Sequence, residues 1–229
     1  MRIYKLPRGN EDIVLQITQA TNSQNPVDLK DLRANDLKQQ SLAQSIQDLH
    51  YVYRRKREDM PFKPTDITSG TAAEAILAVW RNAPHQARFL TREHFGKLYS
   101  TIFTDTLNGA QVIVGVLLYR IAENHRRRPT PKDPIFVRYA SCFIAMQMGR
   151  RLLREMSVGL DGLDHRNFEG AQARIVEKGE AYYTASVEDV DHALKELYGQ
   201  KVLSLQQLSA TFRRGDLIET LLRGEIRKS

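Results

Sequence analysis

Two residue spacings in this chain could support phosphodiester chemistry, and the first of them needs a metal. A divalent cation that activates water is held by an Asp and an (Asp/Glu)-x-Lys step on neighbouring strands. The chain offers Asp28-Leu-Lys30 and Asp36-Leu-Lys38, but neither lies in a hairpin pattern, and chance supplies about as many such triplets. The six histidines, at 50, 85, 94, 125, 165 and 192, form no HxxxH or HxH pair. Asp161, Asp164 and His165 sit in a Gly-punctuated turn, so no metal site and no cofactor are expected. A Gly-rich phosphate loop and a GxSxG elbow are both absent from the sequence. Cys142 is the single cysteine and lies in the apolar stretch FVRYASCFIAM. That excludes a disulfide within the chain and reads as a small buried hydrophobe.

The second spacing needs no metal. An Arg followed four to six residues later by a His, paired across a dimer, attacks RNA in helical ribonucleases of the HEPN kind. Arg120 to His125 and Arg88 to His94 both have this spacing. Ile121 stands where a polar residue usually follows the Arg, and 23 arginines with six histidines yield such pairs by chance. Arg120 and His125 remain catalytic candidates for an alternative function, a metal-independent ribonuclease.

The charge points to a different use of the same region. The formal net charge is +7, with a pI of about 9.5, which favours a polyanionic partner and says nothing about fold. Arg54-Arg55-Lys56-Arg57 follows Tyr51 and Tyr53, and Arg126-Arg127-Arg128 follows His125. Arg150, Arg151 and Arg154, then Arg213 and Arg214, make two further clusters. Cations beside aromatics bind single-stranded nucleic acid by charge and stacking. The plainer reading is four solvated helix ends, where cations also suit the helix dipole.

The elements that must position these residues are helical. Hydrophobic residues make up 41% and charged residues 27% of the 229, the balance of a globular protein. IYKL (3–6) reads as a short strand and EDIVLQITQA (11–20) as a helix. A polar run, TNSQNPVDLKDLRAND (21–36), precedes a helix capped by Asn35 or Asp36 that continues through DLHYVY. Residues 54–70, with two prolines, read as a linker. Residues 71–83 read as a helix opened by a Thr71/Glu74 capping box, and 91–103 as another. Residues 108–125 are apolar all round, the mark of a central helix. Beyond the break HRRRPTPKDP, helices are predicted over 134–156, 165–178, 186–198 from Ser186, and 204–213 from Ser204, with a helical basic tail.

The prediction is a mainly α, bundle-like array with at most a short N-terminal strand or two. Its two regions are 1–125 and 126–229, continuous with each other. The most apolar run, 110–119, is about half of what a membrane span requires. MRIYKLPRGNED has no apolar leader core, so a cytosolic protein without membrane contact is expected.

The polar run, together with the helix and basic stretch after it, resembles the AIPR family, the abortive-infection phage-resistance proteins of bacteria. The matching positions are Thr21, Asn22, Gln24, Asn25, Leu32, Arg33, Asn35, Asp36, Tyr51, Tyr53, Arg54, Lys56 and Arg57. Residues 73–88 and 94–105 are similar to the family's next helices, and the likeness extends over about residues 10 to 125. Longer members resemble restriction-type nucleases upstream of this signature. The likeness therefore implies the helical C-terminal portion of such a protein, its nuclease part missing or supplied in trans. It implies a nucleic-acid-binding or regulatory role in phage defence, DNA and RNA not being distinguished. A protein module that docks a nuclease subunit or senses a phage protein is the other alternative. The binding candidates are Asn22, Gln24, Asn25, Arg33, Tyr53, Arg54, Arg55, Lys56, Arg57, Arg126, Arg127 and Arg128. Asn and Gln amides read base edges, and Arg forks grip phosphate.

Overall fold

The computed structural model describes residues 29–56 and 63–226. The strand expected at 3–6 and the helix expected at 11–20 lie outside them, as do Asn22, Gln24, Asn25 and Arg57. Among the described residues the chain is mainly α, with one pair of three-residue strands.

The polar run ends in α1 (Leu29–Arg33), and α2 (Leu37–Gln47) comes next. Asp36 stands at the N-cap of α2, yet its carboxylate pairs with Arg33 at 3.1 Å instead of capping. The helix stops before HYVY, where β-propensity prevails. His50 turns the chain at φ 64°, and β1 (Val52–Arg54) pairs in parallel with β2 (Asp66–Thr68), Tyr53 opposite Ile67. Part of the expected linker is therefore a strand with a buried side.

The helix predicted at 71–83 begins earlier, as α3 (Ser69–Val79), because Thr68 rather than Thr71 is the cap: its Oγ1 accepts from the Thr71 amide at 3.1 Å. Glu74, expected in a capping box, instead accepts the Tyr119 hydroxyl. A short α4 (Pro84–Phe89) succeeds it. The single helix expected over 91–103 is broken into a 3-10 turn at Thr91–Glu93 and a one-turn α5 (Tyr99–Ile102). Gly96 weakens a helix here, and the rings of Phe95, Tyr99 and Phe103 pack on one another at 5.0–6.3 Å without it.

The central helix is α6 (Gly109–Arg127), opened by a reciprocal Asn108/Gln111 capping box. It packs against α2, α3, α7 (Val137–Glu155) and α8 (Phe168–Tyr198). Trp80 is wedged between helices and donates its indole N–H to the Gln111 carbonyl at 2.8 Å. Glycines make the wedge possible: a Cβ at Gly115 would stand 2.7 Å from the indole nitrogen, and one at Gly149 2.4 Å from Val79.

Two predicted helices, 165–178 and 186–198, are one continuous α8. Ser186, read as a cap, is fully buried within it. Thr184 bonds back to the Glu180 carbonyl at 3.0 Å, as a hydroxyl does in a helix interior. The chain closes with α9 (Leu205–Arg213), capped by Ser204 and Gln207, and α10 (Asp216–Ile226). No described helix is long and apolar enough to cross a membrane.

Candidate functional site

The basic clusters divide into cations engaged within the fold and cations that face outward. Arg33 pairs with Asp36 and lies over the Tyr99 ring at 4.4 Å. Tyr53 is buried and donates to Gln39 at 2.7 Å. Arg54 pairs with the buried Asp66, and Arg55 donates to the Ala34 carbonyl at 2.8 Å. Lys56 is exposed. Arg126 grips both carboxylate oxygens of the buried Glu123, at 2.9 and 3.0 Å, and Arg88 joins from α4 at 2.8 Å. Arg127 touches Glu123 at 3.6 Å and is 69% exposed, and Arg128 is exposed. Arg150 donates to Asn82, Arg151 pairs with Asp189, and Arg213 stacks over Phe89.

Arg120 and His125 are on one helix but on different sides of it, since five residues turn an α-helix by about 140° past a full turn. The guanidinium of Arg120 donates to the Pro64 and Asp66 carbonyls and so fastens the start of β2 to the central helix. Burial lowers its pKa below the usual value. Within one chain the structure does not bring the pair together.

His125 lies in a cleft where α6 ends, the loop after it returns and α8 passes. Its ring stacks on Tyr183, with centroids 3.7 Å apart and planes 13° from parallel. Nδ1 lies 3.2 Å from Asp133 Oδ2, and Nε2 lies 2.9 Å from Glu180 Oε2. Asp133 also accepts from the Tyr183 hydroxyl at 2.6 Å and from the Thr130 amide and hydroxyl at 2.6 and 2.8 Å. Burial opposes its ionisation, but the hydrogen bonds from Tyr183, Thr130 and His125 outweigh burial and hold the carboxyl at about 2.

The cleft has two lobes that share His125, Thr130 and Glu180. The smaller, about 390 Å³, is completed by Asn124, Arg127 and Arg128. The larger, about 530 Å³, adds Tyr183, Val187, Glu188 and Asp191 to its walls, with Lys132 at the rim. Sequence reasoning found His125, Arg127 and Arg128 but missed Asp133, Glu180 and Tyr183. A signal was available for each: Thr130 and Asp133 are spaced for a local hydroxyl–carboxylate turn, and Glu180 and Tyr183 share a face at i, i+3.

Among the described residues, no group of three or more His, Cys, Asp or Glu side chains is placed to hold a metal ion. What they define is a mainly α protein with a basic rim over an acidic cleft. The chain belongs to the AIPR family, whose model, described as AIPR protein, matches residues 1–198. It is thus related to abortive infection and phage defence. Comparison with curated proteins and with solved structures found no match.

Proposed function

We propose that this chain is the nucleic-acid-binding or regulatory part of a phage-defence nuclease and has no complete active site of its own. The observation that carries the reading is the sorting of its cations. Arg54, Arg55 and Arg126 are taken up by internal partners, whereas Arg127, Arg128 and Lys132 stand exposed around one cleft. Exposed cations gathered at a concave site attract a phosphate backbone and release its counterions. Asn22, Gln24, Asn25 and Arg57 belong to the same reading as candidate contacts, as does the exposed Lys56.

The test is a titration of labelled single- and double-stranded DNA and RNA at about 50 and 200 mM salt, with and without EDTA. The expected result is binding that weakens steeply with salt, without cleavage. No binding to any of the four at low salt would overturn the reading and favour a module that docks a nuclease subunit or a phage protein. One observation favours the ribonuclease reading: the Asp133 carboxylate at Nδ1 is how a general base is oriented. RNA cleavage that survives EDTA and is lost in His125→Ala would establish it.

A further inference from the structure

Both ring nitrogens of His125 face carboxylates. A neutral imidazole has one N–H and an imidazolium two, so only the charged ring can satisfy both partners. Those partners differ sharply. The Asp133 side chain is 6% exposed and held by three further hydrogen bonds. The Glu180 side chain is 75% exposed, and among the described residues its carboxylate bonds only to His125. An exposed pair of this kind adds little to stability, so Glu180 is easily displaced from Nε2.

The surroundings of Nε2 suit an anion larger than a carboxylate. The smaller lobe is lined by Arg127, Arg128 and Asn124, and by Thr130, whose hydroxyl is already donated to Asp133. Arginine forks match the geometry of phosphate oxygens. The larger lobe has the opposite character. Glu188 repels phosphate but accepts hydrogen bonds from N–H groups. Asp191 has its Oδ2 on Lys195 and offers its other oxygen as an acceptor, and Pro134 and Val187 offer apolar contact. Its volume lies within the range of about 300–1,000 Å³ that small-molecule sites occupy.

We infer that the two lobes together bind one nucleotide unit. Its phosphate replaces the Glu180 carboxylate on His125, Arg127 and Arg128, and its base enters the larger lobe with N–H donors toward Glu188 and Asp191. Guanine, which offers two adjacent donors on its Watson–Crick edge, fits best. The base must be unpaired, because a duplex has already used that edge. The inference rests on the proposed nucleic-acid-binding role and narrows it to one place. A free mononucleotide and a nucleotide within a strand present the same chemistry.

The experiment measures binding of GMP and of a labelled single-stranded RNA octamer containing guanine, with the matching duplex as competitor. It compares the wild type with Glu180→Gln, Arg127→Ala/Arg128→Ala and Asp191→Asn. All four substituted side chains lie at the cleft surface, and thermal melts confirm folding. Glu180→Gln should tighten binding roughly fivefold, the factor for removing one unit charge at about 4 Å in water. The double arginine variant should weaken it about tenfold or more, as charge-assisted hydrogen bonds are lost. Asp191→Asn should reduce the preference for guanine over uracil.

GMP that binds and competes with the octamer marks a free nucleotide as sufficient. An octamer response to Glu180→Gln without GMP binding assigns the site to a strand. Octamer affinity unchanged in both Glu180→Gln and the arginine variant, or equal competition by the duplex, overturns the inference while leaving nucleic-acid binding standing. Failure of every DNA and RNA to bind any variant overturns the wider reading as well.

Discussion

The ring of Tyr183 lies parallel to the imidazole of His125, 3.7 Å between centroids, while its hydroxyl is bound 2.6 Å away on Asp133. One side chain from α8 thereby fixes both the plane of the histidine and the carboxylate that orients it. Tyr183→Phe keeps the stacking and loses the hydroxyl. It should lower stability by about 1 kcal/mol, the usual net value of such a hydrogen bond, or roughly 2–4 °C for a chain of this size. Thermal unfolding monitored by circular dichroism checks it.

Acid should weaken the same junction. Asp133 is held at about 2, below its ordinary 3.8. A carboxyl depressed in the folded state contributes stability that is complete above the ordinary value and lost as pH falls through the folded one. Denaturant titrations between pH 5 and 2 should therefore show a loss concentrated between about 4 and 2. In Asp133→Asn that portion of the decline should disappear.

Gly149 lies where α7 crosses Val79 and Trp80, and a Cβ there would be 2.4 Å from Val79 Cγ1. Gly149→Ala should cost about 1–3 kcal/mol by overpacking. Gly159→Ala is the control, since nothing lies within 4 Å of its Cβ position. Equal melting temperatures for the two would contradict the packing described.

Arg54 and Lys56 are close together in one basic run but differ in role. Arg54→Ala removes the partner of a buried carboxylate, Asp66, and should unfold at a clearly lower temperature. Lys56→Ala, at an exposed position, should melt like the wild type. Nucleic-acid binding should be compared between them only after this difference is measured.

Cys142 should resist thiol reagents for as long as the chain is folded. Burial pushes its thiol up to about 12, and neighbouring carboxylates add to the effect. Labelling with a colorimetric disulfide reagent should proceed only with unfolding.

Much of the fold was legible locally. Apolar spacing located α6, α7 and α9, because a helix buries its own repeating face and is opened by its own caps. Asn108, Gln111, Ser204 and Gln207 are such caps. The polar family signature was legible too, as a pattern of residue types over 21–57. Other features needed partners distant in sequence. Residues 52–54 become a strand only because 66–68 lie beside them. Ser186 has the chemistry of a cap, and only its burial against neighbouring helices makes it part of a helix interior.

The same division governs the candidate site. Residue order alone makes the chain helical, basic and rich in arginine near His125. Which arginines are engaged by Asp36, Asp66 and Glu123, and which remain exposed, depends on how the helices pack. Packing also sets Tyr183 and Glu180, more than fifty residues away, against His125. The difference is one of range. Caps and helix faces are set by interactions within one or two turns, whereas ion pairs and clefts arise where packing brings distant segments together.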